Sequence, residues 1–178
     1  MVTSEAHQPA ATAAPGPPWR IDVGDLPALT GRHLGYGPWH DITQRDVSRY
    51  AALTGDEQWI HVDPERAAGG PFGATVAHGF HTLGRFTGLL REILTVEGVK
   101  TTLNYGVNRV RFPAPALVGG RLRMGVAINQ VESLADSVQV VYGAVFEVQG
   151  QAKPVCVAEV VFRYYPKDLT NQTAANYS

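Results

Sequence analysis

The chain has 178 residues, 15 Lys+Arg against 16 Asp+Glu, a formal charge of −1, 44% hydrophobic residues and one cysteine, Cys156. Such a chain is long enough to bury a real core as one domain, and its near-zero charge gives no bulk attraction for nucleic acid or an acidic membrane. A single cysteine excludes an intrachain disulfide framework and any multi-cysteine zinc or iron–sulfur site, and is compatible with a reducing cytoplasm.

Residues 1–18 (MVTSEAHQPAATAAPGPP) are small, polar and Pro-rich, without hydrophobic periodicity. They are expected to form a disordered tail, and without a basic start or an apolar run they do not read as a secretory signal. The polar end, 168–178, is expected to fray. The folded domain is therefore expected over 19–167. No apolar run reaches membrane-spanning length.

Thr43-x-x-Asp46 ahead of Val47, Tyr50, Ala51 and Thr54 is a capping signal followed by a helical stripe, and Gly55 should stop that helix. Pro64 to Ala68 reads as a second short helix, ended by Gly69-Gly70. Phe80, Leu83, Phe86 or Thr87, Leu90 and Leu94 then recur at helical spacing, which predicts one long helix from Ala77 onward. Gly84 and Gly88 weaken it by about 1 kcal/mol each relative to Ala, so close packing of the helix against a sheet is expected to compensate.

After Gly98 the period changes to two. Residues 99–112, Leu122 to Ile128, Val138 to Val148 and Cys156 to Tyr164 read as strands, with turns at Gly119-Gly120, Ala135-Asp136 and Gly150-Gln151. Tyr105, Tyr142 and Tyr164 fall within them and read as core or interface aromatics. A buried helix followed by consecutive antiparallel strands is an α+β arrangement, with the sheet curled around the helix.

Polar residues concentrate in Gly55-Asp56-Glu57-Gln58-Trp59-Ile60-His61-Val62-Asp63-Pro64. On a helix, five residues turn about 500°, which would point Asp56 and His61 roughly 140° apart. They converge only if the segment between them is a non-helical loop, which Gly55 and Pro64 would bracket. A carboxylate facing an imidazole orients a general base or holds a water. The plainer alternative, Asp56 as a helix cap and His61 as a satisfied polar residue, stays open, and spacing alone leans towards it. Gly79, in Ala77-His78-Gly79-Phe80, exposes a backbone N–H at a helix start to an incoming carbonyl oxygen; tight packing is its alternative role. His78 and His81, with Asp56, His61 and Asp63, are the residues from which a metal site would be drawn, but no HExxH motif accompanies them and a metal-free site is expected. Arg109 and Arg111 either meet an anionic cofactor tail or form a solvated strand end.

Three blocks, in order, resemble one family: Thr54-Gly55-Asp56-Glu57-Gln58-Trp59-Ile60-His61-Val62-Asp63-Pro64-Glu65-Arg66-Ala67; Gly70-Pro71-Phe72-Gly73 with Ala77-His78-Gly79-Phe80; and Leu103-Asn104-Tyr105-Gly106-Val107-Asn108-Arg109-Val110-Arg111-Phe112-Pro113-Ala114-Pro115. Together they are similar to the MaoC-like (R)-specific enoyl-CoA hydratases, especially the single-domain, nodulation-protein-N-like members, over about residues 36–165. The resemblance implies a hot-dog fold, a curved antiparallel sheet around a long central helix. It implies reversible hydration of a trans-2-enoyl thioester, on CoA or a carrier protein, to the (R)-3-hydroxyacyl thioester. No cofactor is expected beyond CoA as part of the substrate. By motif, Asp56 and His61 activate the water and the Gly79 N–H meets the thioester oxygen, while Trp59, His78, Phe80, Arg109 and Arg111 are the candidate substrate contacts. Many members have Asn-Pro where this chain has Gln58-Trp59, so Trp59 would reshape the acyl pocket. Such units pair as homodimers or larger homo-oligomers. The other activities weighed are a hot-dog thioesterase, a non-catalytic thioester-binding protein and a specialised polyketide-tailoring dehydratase.

Overall fold

The computed structural model describes residues 18–167. The tails expected at 1–18 and 168–178 lie outside the described residues, apart from Pro18. Strand β1 (Trp19–Asp22) and a 3-10 turn (Val23–Leu29) lead into β2 (His33–Tyr36) and β3 (His40–Asp41). The turn buries Val23, Leu26 and Leu29, so this opening segment is part of the core.

Helix α1 (Gln44–Thr54) forms as its caps dictate. The Thr43 side chain accepts from the Asp46 N–H, and Gly55, in the left-handed region at φ 77°, ends the helix by donating to the Ala51 carbonyl. A one-turn helix, α2 (Trp59–Val62), precedes α3 (Pro64–Ala68), which Asp63 caps through the Arg66 N–H. A two-residue strand, β4 (Val76–Ala77), runs into α4 (Gly79–Gly84) and α5 (Phe86–Arg91), then β5 (Leu94–Glu97).

The long helix expected from Ala77 is thus two short segments meeting at Arg85, whose N–H turns back three residues to Thr82. The packing reason given for Gly84 and Gly88 is also corrected. A Cβ at either would meet nothing within 4 Å, so neither glycine is pressed against the sheet. Uncompensated glycine on an exposed face weakens the continuous ladder of backbone bonds. Leu94 belongs not to the helix but to β5, which pairs in parallel with β1.

The main sheet has the order β2-β8-β9-β10-β6, with β3 also on β8. Its long strands are β6 (Val99–Arg111), β8 (Arg121–Ser133), β9 (Val138–Val148) and β10 (Cys156–Pro166), while β7 (Ala116–Leu117) pairs with β4. The period-two residues of β8, β9 and β10 line one buried face, and Phe86 of α5 packs there against Phe162 and Tyr142, with ring centroids 5.3 and 5.9 Å apart. Tyr142 and Tyr164 are core residues joined hydroxyl to hydroxyl at 2.6 Å. Burial pushes the Tyr164 phenol up to about 12, so this pair stays neutral at ordinary pH. Strand β6 is the sheet edge. Its register with β10 slips three times, leaving Lys100, Tyr105 and Asn108 as bulged residues.

Candidate active site

The left-handed Gly55 turns the chain out of α1, and residues 56–58 run without helix before α2 begins at Trp59. That loop brings Asp56 and His61 together, with the difference that His61 itself lies on a short helical turn. One carboxylate oxygen of Asp56 and one ring nitrogen each of His61 and His78 lie within 4.8 Å of one another. A water bonded to two such groups at about 2.8 Å from each spans a gap of that size.

The tautomer of His61 follows from its partner. Nδ1 lies 2.6 Å from the Val76 carbonyl oxygen, which can only accept, so Nδ1 carries the proton and Nε2 keeps its lone pair. His61 is 8% exposed, whereas the Asp56 side chain is 60% exposed. The site therefore pairs a fixed, buried imidazole with a carboxylate at its open side.

His78 is the N-cap residue of α4 and lies 5% exposed. Its Nε2 donates to the backbone carbonyl of Asp56 at 2.9 Å and stands 3.9 Å from the carboxylate. Its ring stacks on His61 with centroids 3.6 Å apart and planes 22° apart, and Tyr50 packs beside it. His78 thus fastens the Asp56 loop to the start of α4. The stacking also bears on a metal. Imidazole lone pairs lie in the ring plane, and two rings stacked nearly face to face hold theirs in separate, nearly parallel planes, which disfavours both reaching one ion. Asp63 and His81 are outside the cluster. Asp63 caps α3, and burial, helped by Arg85 and His78, lowers the His81 pKa and keeps that ring neutral.

Gly79 holds the first position of α4, where a backbone N–H has no acceptor within the helix. It lines a cavity of about 310 Å³ together with Ile60, Phe72, Val76, Ala77 and Phe112. A Cβ at Gly79 would lie 2.8 Å from two carbons of the Phe112 ring, so any other residue there must displace that ring. Because α4 is six residues long, what Gly79 offers is the N–H itself rather than the field of a long helix.

The remaining candidates are dispersed. Phe80 lines a neighbouring cavity of about 300 Å³ with Tyr50, Leu83, Gly84, Asn104 and Val107. Trp59 lines neither cavity. Its ring lies 4.4 Å below the Arg66 guanidinium and against Gly70, and Ile60 takes the place at the cavity wall. Arg109 and Arg111 are exposed on β6; Arg111 donates to the carbonyl of Val110, and neither lines a cavity described above. The sequence reading had no signal for Ile60 or Phe72 as cavity wall beyond their lying within the motif blocks.

The chain matches the MaoC like domain over residues 25–149. It is 52% identical over 143 residues to 3-hydroxyacyl-thioester dehydratase Z of Mycobacterium tuberculosis (strain ATCC 25618 / H37Rv), covering 80% of this chain and 95% of that one. It is 32% identical over 153 residues to Nodulation protein N of Rhizobium leguminosarum bv. viciae, covering 83% and 95%. The structure of the (R)-hydratase from A. caviae involved in PHA biosynthesis superposes with a TM-score of 0.61 at 21% identity, over 75% of this chain and 94% of that one, which shows a shared hot-dog fold. The matched span carries the Asp56–His61 loop, the Gly79 helix start and the β6 edge, and the chain belongs to the MaoC-like dehydratase family of hydro-lyases.

Proposed function

We propose that this protein is an (R)-specific hydratase/dehydratase of acyl thioesters, adding water reversibly across a trans-2-enoyl-CoA or carrier-protein thioester. The observation that carries the reading is the Asp56 carboxylate set within 4.8 Å of a His61 ring whose Nε2 is kept as the acceptor. The relative at 52% identity, named a 3-hydroxyacyl-thioester dehydratase, supports it.

Water is held between Asp56 and His61 Nε2. As its oxygen bonds to C3, Nε2 takes a proton and negative charge moves onto the thioester oxygen. The Gly79 N–H meets that oxygen, and charge-directed donors of this kind are each worth roughly 10²–10³ in rate. The pair returns a proton to C2, so the same groups act as base and then as acid; dehydration is the reverse. His78 keeps the loop closed. The stacked rings favour a metal-free site, with CoA present only as part of the substrate.

The working unit is a homodimer or a larger homo-oligomer. β6 is a 13-residue edge strand that pairs with β10 on one side and exposes Leu103, Tyr105 and Val107, an open edge that a second copy would cover. No helix of the described residues is long and apolar enough to cross a membrane. We place the protein in the cytoplasm, where its one thiol stays reduced. Buried, that thiol is pushed up to about 12 and is unreactive.

Purified protein incubated with a short trans-2-enoyl-CoA tests the reading. Loss of the conjugated enoyl absorbance without free thiol, giving the (R)-alcohol, is expected. Release of free thiol means a thioesterase. No reaction with any chain length or carrier means a binding protein or a specialised dehydratase.

A further inference from the structure

His61 is held at two places, and only one of them is its ring. The first residue of α1, Gln44, reaches across to the loop, and its Nε2 donates to the His61 backbone carbonyl at 2.7 Å and to Ser48 Oγ at 3.1 Å. Its Oε1 accepts from the Thr75 hydroxyl at 2.5 Å. These partners fix the amide orientation, because a reversed amide would set its oxygen against the His61 carbonyl. Thr75 is buried, and its own carbonyl accepts from the Val118 N–H at 2.9 Å, which ties it to the chain after β7. The next residue, Val76, supplies the carbonyl that holds His61 Nδ1.

The contacts close a ring. It runs from Gln44 to the His61 backbone, through the imidazole to Val76, along one peptide to Thr75, and back to Gln44. Within that ring, the separation between the His61 backbone and the Val76 carbonyl is set from outside. Were it to widen, the Nδ1–H bond would lengthen and the proton could sit on Nε2 instead. An imidazole with its proton on Nε2 cannot accept one from water there. We propose that Gln44 and Thr75 are positioning residues that hold His61 in its Nδ1–H tautomer. The proposal rests on His61 being the base, and it names two residues outside the Gly-Asp-x-x-x-x-His block and the helix start.

Three variants test it, Gln44→Leu, Thr75→Val and Thr75→Ser, each compared with the full chain. Two readouts are taken: steady-state kinetics on a short trans-2-enoyl-CoA, and long-range ¹H–¹⁵N spectra of the imidazoles, which report the tautomer independently of turnover. Gln44→Leu and Thr75→Val are expected to lower kcat roughly 10–100-fold, the range seen when histidines that bind metals lose their outer-shell partners. KM should stay within about twofold, as expected for a group that does not touch substrate. His61 should lose its single Nδ1–H signature. Thr75→Ser keeps the hydroxyl and should restore both tautomer and kcat. A purely structural role would lower the melting temperature and leave the tautomer of the folded protein unchanged. If Gln44→Leu fails to fold, the near-isosteric Thr75→Val carries the test. Folded Gln44→Leu or Thr75→Val with the wild-type tautomer would overturn the proposal. Wild-type turnover in His61→Gln would instead overturn the assignment of the base, and the spectra would still decide whether the ring of contacts holds the imidazole.

Discussion

Replacing Gly79 by alanine separates two things that glycine does here. An ideal Cβ at this position lies 2.8 Å from Cδ2 and Cε2 of Phe112 and 2.9 Å from Cγ, well inside van der Waals contact. Phe112 is 40% exposed and meets Phe80 edge-on at 5.9 Å, so its ring has room to swing outward. The cost in stability should therefore fall near the low end of the overpacking range, about 1 kcal/mol. For a chain of this size that is a fall of about 2–4 °C in melting temperature. Turnover should suffer far more. The methyl occupies the approach to the N–H, and loss of such a donor costs roughly 10²–10³ in rate, or about 2.7–4 kcal/mol of barrier. The assay is the decay of enoyl absorbance, with thermal unfolding followed by circular dichroism. The double variant Gly79→Ala/Phe112→Ala then removes the clash and keeps the methyl. If the damage came only from the displaced ring, the double variant would regain the turnover of Phe112→Ala alone. Such a recovery, or near-normal turnover in Gly79→Ala, would refute Gly79 as the donor.

Asp56→Asn and His61→Gln should each lower kcat roughly 10²–10⁴-fold, the usual weight of a general acid or base. Because Asp56 is exposed, Asp56→Asn should melt at nearly the wild-type temperature, and near-normal turnover in both variants would sink the assignment. Trp59→Phe should leave the preference among enoyl chain lengths unaltered, whereas Ile60→Trp should narrow it towards short chains; the reverse pattern would put Trp59 back in the pocket. His81 has a pKa lowered by burial, so below its unfolded value of about 6.5 the unfolded chain binds the extra proton first and stability falls as pH falls. Melting temperature should therefore drop between pH 7.5 and 5.5 by less in His81→Gln than in the wild type, and equal drops would contradict this. Leu103→Lys, at the exposed β6 edge, should shift the sedimenting species to half its mass while leaving the circular dichroism unchanged; an unaltered mass would remove β6 from the interface.

Elements whose signals are local were legible in the sequence. The Thr43 cap and the Gly55 stop set α1, and the period-two runs of β8, β9 and β10 fall on the buried face, with β10 on β9 in one continuous register from Cys156 to Tyr164. The segments that misled are those decided by neighbours distant in the chain. Apolar residues at helical spacing run through Arg85, yet the helix breaks there because nothing packs on Gly84 or Gly88 to offset their cost. Strand β6 carries no clean alternation because each of its three bulges moves the following side chains to the opposite face. Strand β1 is too short to show a period, being four residues long, and its partner β5 lies more than 70 positions away.

The same division runs through the site. Asp56 and His61 do converge, and locally: a left-handed glycine, a short loop and a turn of helix bring them together, although spacing alone leans to Asp56 as a cap and it is the family resemblance that pairs them. His78 is named a candidate substrate contact by motif alone; what its sequence position does not show is that its Nε2 donates to the Asp56 carbonyl and its ring stacks on His61. The residue just before a helix takes its direction from whatever packs on that end, and here that is a loop 22 residues earlier. Gln44 gave no signal because its partners lie 17 and 31 residues away, and in sequence it is only the first residue of an amphipathic helix. A motif therefore marks groups whose spacing is constrained locally, such as Asp56 and His61. It does not identify the groups that hold them, because any residue brought near by the fold can supply one hydrogen bond. By that reasoning the family's chemistry is written in the loop at 55–63. How well this chain performs it is set by α1 and β4, on either side of the loop, where a change such as Thr75→Val leaves every motif residue in place.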